Sequence, residues 1–131
     1  MIGLVIVSHS AKVAEGVKEM AEQMSQGRVA IAAAGGVDED TLGTNAERIF
    51  TALQSAYSPD GVLVLMDLGS AVMSAQMAIE MMAAEQQQQI RMSDAPLVEG
   101  AIVAAVEASL GRSLEEVKEA AEAASTMRKI L

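Results

Sequence analysis

Cysteine is absent from this 131-residue sequence, and histidine occurs once. The first absence excludes disulfides, thiolate nucleophiles and cysteine-type zinc sites. The second denies a catalytic zinc ion the several imidazoles it takes. Tryptophan is missing as well, and Phe50 and Tyr57 make up the whole aromatic content, which leaves no platform on which single-stranded bases could stack. Basic residues are scarce: 9 Lys and Arg against 18 Asp and Glu give a net charge of −9. Such a chain repels a phosphate backbone, so nucleic acid is not an expected partner. No apolar run approaches the ~20 residues that span a bilayer. No basic segment precedes the first run, Ile2 to Val7, so neither a signal peptide nor a membrane partner is expected, and the expected location is cytoplasmic. What is plentiful is apolar surface. At 51% hydrophobic residues the chain is too rich for disorder, and its length is that of one domain, residues 1–131.

Four short apolar runs read as strands: Ile2 to Val7, Val29 to Ala34, Val62 to Met66 and the weaker Ile90 to Asp94. Helix-length segments separate them. Val13, Val17, Met20 and Met24 recur at helical spacing and predict one apolar face. The next helix opens on Thr44-Asn45-Ala46-Glu47, a capping-box pattern that assigns the cap to Thr44 and Glu47. It carries Ile49, Phe50, Leu53 and Tyr57 as its stripe and ends at Ser58-Pro59. A third helix is expected from Ser70 to Ala84, a fourth from about Pro96 to just before Gly111, and a last one behind the capping box of Ser113 and Glu116. Gln86 to Gln89 reads as a polar loop. Strands and helices alternate, and each strand is apolar throughout, as parallel strands covered on both faces are. The expected fold is a doubly wound α/β domain with a four-stranded, mainly parallel sheet in the order 2-1-3-4. Ligands of such folds bind beyond the carboxyl ends of the first and third strands.

Those ends carry Ser8-His9-Ser10 and Asp67-Leu68-Gly69-Ser70. His9 alone could be a turn or cap residue, but the strand order brings Asp67 beside it, where a carboxylate can hold one ring N–H and leave the other nitrogen's lone pair exposed. Gly69 and Ser70 open the third helix, whose free amides and dipole favour an anion such as a phosphoryl group, unless Ser70 is an ordinary cap. Gly35-Gly36 ends the second strand on the same edge as a tight turn. No dinucleotide fingerprint or P-loop accompanies it. Asp38, Glu39 and Asp40 are read as a solvated loop, so no metal is expected. Met77, Met81 and Met82 lie on a helix that is apolar almost all round, which points to self-association. Ser8, Ser10 or Ser70 with His9 and Asp67 also supplies the residue types of a Ser-His-Asp hydrolase, although the G-x-S-x-G elbow is missing. A phosphocarrier needs less: one nucleophilic imidazole, a group to orient it and amides for the phosphoryl oxygens.

Three segments in order, Val5-Ile6-Val7-Ser8-His9-Ser10, Val64-Leu65-Met66-Asp67-Leu68-Gly69-Ser70-Ala71 and Ala95-Pro96-Leu97-Val98-Glu99-Gly100, resemble the DhaM family. These are the phosphotransfer subunits of phosphoenolpyruvate-dependent dihydroxyacetone kinase, built on the mannose-type EIIA domain. The Gly-Gly-Ser-Pro stretch that follows the aspartate in sugar-transporter EIIA domains is absent, and a transporter EIIA domain is the alternative within phosphotransfer. The resemblance implies a homodimeric carrier phosphorylated at Nε2 of His9 by the phosphocarrier HPr. The phosphoryl group then passes to ADP on a separate kinase subunit, and the ATP so formed phosphorylates dihydroxyacetone on a third. Nucleotide and magnesium would belong to the partner, so this chain is expected to hold no cofactor of its own. Some members carry fused phosphocarrier domains, for which this chain ends too early, so a free carrier is expected. Asp67 or a backbone carbonyl would hold Nδ1–H, with Gly69, Ser70 and Ser10 around the phosphoryl group and Ser8, Gly35 and Gly36 on the partner rim.

Overall fold

The computed structural model describes residues 1–130. Four strands, β1 (Gly3–Ser8), β2 (Ile31–Gly35), β3 (Val62–Met66) and β4 (Ile90–Ser93), form one sheet ordered β2-β1-β3-β4, with every pair parallel. Six helices connect and cover them: α1 (Ala11–Ser25), α2 (Ala46–Ala56), α3 (Ser70–Glu80), the single turn α4 (Ala84–Gln87), α5 (Leu97–Ser109) and α6 (Leu114–Ala123). The doubly wound order expected from the apolar runs is the order found.

Alternate residues of the strands feed two cores, because side chains of a strand point to opposite faces. Leu4, Ile6, Leu63 and Leu65 pack under α1, α5 and α6, whereas Val5, Val7, Val62 and Val64 pack under α2 and α3. The helices contribute mostly alanine to both cores. Ala101, Ala104, Ala105 and Ala108 of α5 and Ala71, Ala75 and Ala78 of α3 are fully buried, so the helix backbones lie close to the sheet. No helix among the described residues is long and apolar enough to cross a membrane.

Three local expectations are corrected. The buried stripe of α1 is Ala14, Val17, Ala21 and Ser25, while Val13, Met20 and Met24 are exposed. A stripe of small residues permits the close approach that methionines would obstruct. The cap of α2 is Asn45, whose side chain accepts from the Glu47 and Arg48 amides, so Thr44 is not the cap. Both residue types cap well, and the one nearer the helix takes the position. The third helix stops at Glu80 and not at Ala84. The chain reverses there, and Gln87, from the stretch read as a loop, belongs to α4 and donates through Nε2 to the Met82 and Glu80 carbonyls at 2.8 and 3.3 Å. The Ser113–Glu116 capping box on α6 forms as expected.

Glycine is required where β2 meets α1. A Cβ on Gly35 would lie 2.4 Å from the Ser10 carbonyl oxygen and 2.7 Å from Ala11 Cα. Gly16 is the opposite case, an exposed glycine inside α1 with nothing within 4 Å of a built Cβ. Gly35→Ala should therefore destabilise by ~1–3 kcal/mol through overpacking, and Gly16→Ala should stabilise by ~0.5–1 kcal/mol through helix propensity. Urea unfolding checks both, and equal midpoints for the two variants would contradict the packing described.

Candidate functional site

The register of the central strands builds the site. Val7 pairs with Met66, and the Asp67 amide donates to the Val7 carbonyl at 3.1 Å, extending the β1–β3 ladder one residue past β3. His9 and Asp67 thus leave adjacent parallel strands side by side, at the point where the chain's connections diverge to opposite sides of the sheet.

Asp67 accepts three hydrogen bonds. Its Oδ2 takes the Ser8 hydroxyl at 2.8 Å and the His9 backbone N–H at 2.9 Å, and its Oδ1 takes Nδ1 of the His9 ring at 2.9 Å. Partial burial raises the carboxyl pKa, but the bonds from the His9 amide, the Ser8 hydroxyl and the His9 ring outweigh it and hold the group below its ordinary 3.8. The carboxylate is therefore ionised at neutral pH. Its contribution to stability is present above that ordinary value and is lost as pH falls through the lowered one. Of the two holders of Nδ1–H that the sequence left open, the geometry has the carboxylate.

An ionised Asp67 fixes the tautomer of the neutral ring. Nδ1 carries the proton, so the lone pair lies on Nε2, which sits 3.0 Å from the Ser70 hydroxyl. Ser70 is the first residue of α3, and the N-cap is Gly69, at φ 65° and ψ −125°, with no side-chain cap bond. That backbone conformation favours glycine strongly. The N–H groups of Leu68, Gly69 and Ser70 have no hydrogen-bond partner among the described residues. The ring thus adjoins an uncapped helix N-terminus, where the amides and the dipole favour an anion.

The Ser70 hydroxyl also contacts Thr44 Oγ1 at 3.1 Å, and Thr44 Oγ1 contacts Ser74 Oγ at 2.7 Å. Neither Thr44 nor Ser74 was singled out as a site residue from the sequence. The signal was there in Thr44, adjacent to a better cap and so free of that duty, and in Ser74, one helical turn beyond Ser70.

Other expected positions have different duties. Ser10 caps α1, its hydroxyl accepting from the Val13 amide at 3.2 Å, and is not among the partners of the ring. Ser8, Gly35 and Gly36 are not a rim: Ser8 is 1% exposed and both glycines are buried. The Gly36 amide donates to the Ser8 carbonyl, and at φ +72° a Cβ there would meet the Asp38 carbonyl oxygen at 2.4 Å. The strand ends are packed too tightly for these residues to reach the surface. The most exposed large apolar side chains of the flanking loops are Leu42 and Leu68, each 76% exposed. Leu42 precedes Gly43, whose amide donates to the His9 carbonyl at 2.9 Å, and Leu68 follows Asp67. The His9 side chain between these loops is 35% exposed. Among the described residues no three carboxylates or imidazoles gather as a metal would require, and Asp38 accepts the Asp40 amide within its own turn. A cavity of about 530 Å³ opens beside α1, lined by Lys12, Glu15, Glu39 and Arg48 among others, and His9 is not part of it.

Against known proteins, residues 3–118 match the EIIA-man family model, described as PTS system fructose IIA component. A relative in Escherichia coli K12, the phosphoryl donor subunit DhaM of PEP-dependent dihydroxyacetone kinase, is 43% identical over 122 residues, covering 89% of this chain and 25% of its own length. In Listeria innocua serovar 6a, the phosphoryl donor subunit DhaM of PEP-dependent dihydroxyacetone kinase 2 is 38% identical and is matched over 94% of its length. The chain thus spans about a quarter of the first relative and nearly all of the second. Among solved structures, the protein of unknown function EF1359 superposes with a TM-score of 0.84 at 32% identity, covering 100% of this chain and 99% of that one.

Asp67→Asn tests the tautomer. An asparagine oxygen can replace only one side of the carboxylate. If it takes the Ser8 and His9 amide donors, its NH₂ faces Nδ1 and forces the ring proton onto Nε2. The fold should persist, nitrogen-15 NMR of the ring should show the Nε2–H form, and any reaction needing the Nε2 lone pair should fall by ~10²–10⁴. A ring that stays Nδ1–H in this variant would remove the carboxylate from tautomer control.

Proposed function

The chain belongs to the EIIA-man family and groups with its DhaM subunits, and from that premise we propose that it is a phosphohistidine carrier with His9 as the phosphoryl acceptor. The observation that carries the proposal is the Nε2 lone pair, held by the Asp67–Nδ1 bond on the far side of the ring and presented at the uncapped N-terminus of α3.

In the proposed reaction the N–P bond of a phosphorylated donor, HPr, breaks as the Nε2–P bond forms. No proton has to leave Nε2. The ring becomes cationic with Nδ1–H retained, and Asp67 offsets that charge. The free amides at the start of α3 and the Ser70 hydroxyl stabilise the phosphoryl oxygens. Discharge reverses the sequence: the Nε2–P bond breaks as a terminal oxygen of ADP takes the group. The chain has no P-loop, so ADP and its magnesium are assigned to a partner kinase subunit, and dihydroxyacetone to a third subunit served by the ATP. A cytoplasmic setting follows from those partners.

The same face must meet donor and acceptor, since there is one histidine. Leu42 and Leu68 are the apolar contacts available there, and the neighbouring Asp38, Glu39 and Asp40 are exposed. This favours partners with a basic rim around an apolar patch. A homodimer is proposed on α3, where Met73, Met77 and Met81, spaced four residues apart, expose one apolar stripe, while Met82 turns inward. A sugar-transporter IIA role remains the alternative within the family.

Ser70, His9 and Asp67 are also hydrogen-bonded in the order of a hydrolase triad, which gives a second reading a specific basis. The two readings part on Ser70. Incubation with enzyme I, HPr and labelled phosphoenolpyruvate should place alkali-stable, acid-labile label on the wild type and on Ser70→Ala, though more slowly in the variant, and none on His9→Ala. Label surviving in His9→Ala would reject the acceptor assignment. Esterase activity abolished by Ser70→Ala, with no label taken up by the wild type, would favour the hydrolase. The labelled protein should discharge to ADP bound on the kinase subunit and barely to free ADP. Rapid transfer to a transporter IIB domain instead would favour the sugar-transport role.

Leu42→Glu and Leu68→Glu test the rim. Each should leave the melting temperature unchanged, because the side chains are exposed, and should raise the concentration of HPr needed for half-maximal labelling by ~10-fold or more, in the range of ~1–2 kcal/mol expected for an interface anchor. Unchanged labelling in both variants would move the docking face elsewhere.

A further inference from the structure

A hydroxyl carries one proton, and that arithmetic orients the whole chain of contacts beyond the ring. With Nδ1–H donating to Asp67, Nε2 can only accept, so Ser70 donates to it. The Ser70 proton is then engaged, and the 3.1 Å contact with Thr44 must be donated by Thr44. The Thr44 proton is engaged in turn, so the 2.7 Å contact with Ser74 must be donated by Ser74. One carboxylate thus aligns three successive O–H groups, all directed toward Nε2.

These hydroxyls come from two parts of the chain. Ser70 and Ser74 lie one turn apart on α3, and Thr44 lies at the end of the loop before α2. Because Asn45 caps α2, no helix amide claims the Thr44 oxygen.

We propose that Thr44 and Ser74 are positioning residues that hold the Ser70 hydroxyl as an oriented donor, first to Nε2 and then to the phosphoryl group that replaces its lone pair. The proposal rests on the carrier reading and deepens it. When a phosphoryl group approaches, Ser70 has to release Nε2. Its oxygen stays held by the Thr44 donor while its proton turns to a phosphoryl oxygen, so the donor needs no search and little reorganisation as the charge arrives. Without Thr44, the Ser70 side chain is free to choose among rotamers and loses that orientation. The contact also ties the loop before α2 to α3, but a tie alone does not require a hydroxyl that donates in one direction.

The test compares Thr44→Val, Thr44→Ser and Ser74→Ala in the full chain. Nitrogen-15 NMR of the resting protein should show Nδ1 protonated in all three, with the Nε2 resonance moved toward that of an unbonded acceptor in Thr44→Val and Ser74→Ala, and restored in Thr44→Ser. Label uptake from phospho-HPr should slow ~10-fold in Thr44→Val, less than the ~10²–10³ seen when a donor touching the reacting oxygen is removed. Thr44→Ser should recover most of the rate. A wild-type Nε2 resonance and rate in Thr44→Val, or no recovery in Thr44→Ser, would overturn the proposal. If Thr44→Val fails to fold, Ser74→Ala decides by the same two readings. Absence of label on every protein, wild type included, would defeat the carrier reading, while the resonance of the resting ring would still decide the orientation of the chain.

Discussion

The Asp67 carboxylate is the constraint on which the rest of the site depends. It closes the turn after β1 by accepting the His9 amide and the Ser8 hydroxyl, and it holds the ring through Nδ1. The same group therefore shapes the backbone that carries the imidazole and selects the tautomer the imidazole adopts. A neutral amide could do one of these but not both, since only its oxygen accepts, whereas both oxygens of the ionised carboxylate are acceptor-only. Its position costs the fold nothing special: parallel pairing of β1 with β3 delivers residue 67 beside residue 8 as the next rung of the ladder.

Around this hub the chain uses small residues to bring backbones close. Gly35 and Gly36 let β2 and its following turn press against Ser10 and Ala11, and Gly69 permits the positive φ with which the chain enters α3. The alanine faces of α3 and α5 do the same for the layers. The packing has a consequence for recognition. Ser8, Gly35 and Gly36 are drawn inward, while Leu42 and Leu68 are the most exposed large apolar side chains of the loops at the carboxyl edge. In the proposed carrier, the residues that pack the strand ends and those offered to a partner are therefore different residues.

The sequence made the scaffold and the His9–Asp67 pair legible because both rest on long-range regularities. Uninterrupted apolar runs mark parallel strands covered on both faces, and handedness leaves few orders for four of them. Given the order, His9 and Asp67 must meet. What escaped depends on competition between neighbours. Thr44 and Asn45 are both good caps, and which one caps decides whether Thr44 is free to join a hydroxyl chain with residues 26 and 30 positions away. Whether Gly36 lines a surface or a buried turn is equally invisible in a pattern of residue types, because it depends on how closely α1 approaches β2. The methionines misled for the same reason. Met20 and Met24 have the spacing of a core face, yet α1 packs through Ala14, Val17 and Ala21, and the methionines face solvent.

A carrier has a requirement that an ordinary enzyme does not: the group it accepts must leave as readily as it came. Stabilising phosphohistidine strongly would lower the energy of the intermediate and defeat the second transfer, by the same logic that makes uniform binding useless for rate. The ring's hydrogen-bond partners fit that requirement. One side of the ring meets a carboxylate, and the other meets a neutral hydroxyl backed by neutral hydroxyls and free backbone amides, with no lysine or arginine among the partners of the ring in the described residues. A neutral donor to an anionic phosphoryl oxygen forms a bond with full charge on one side only, weaker than the contact a cation makes with the same oxygen. In the proposed carrier they orient the phosphoryl group without trapping it, and the stronger cationic contacts needed in the transition state are left for each partner to bring and then remove.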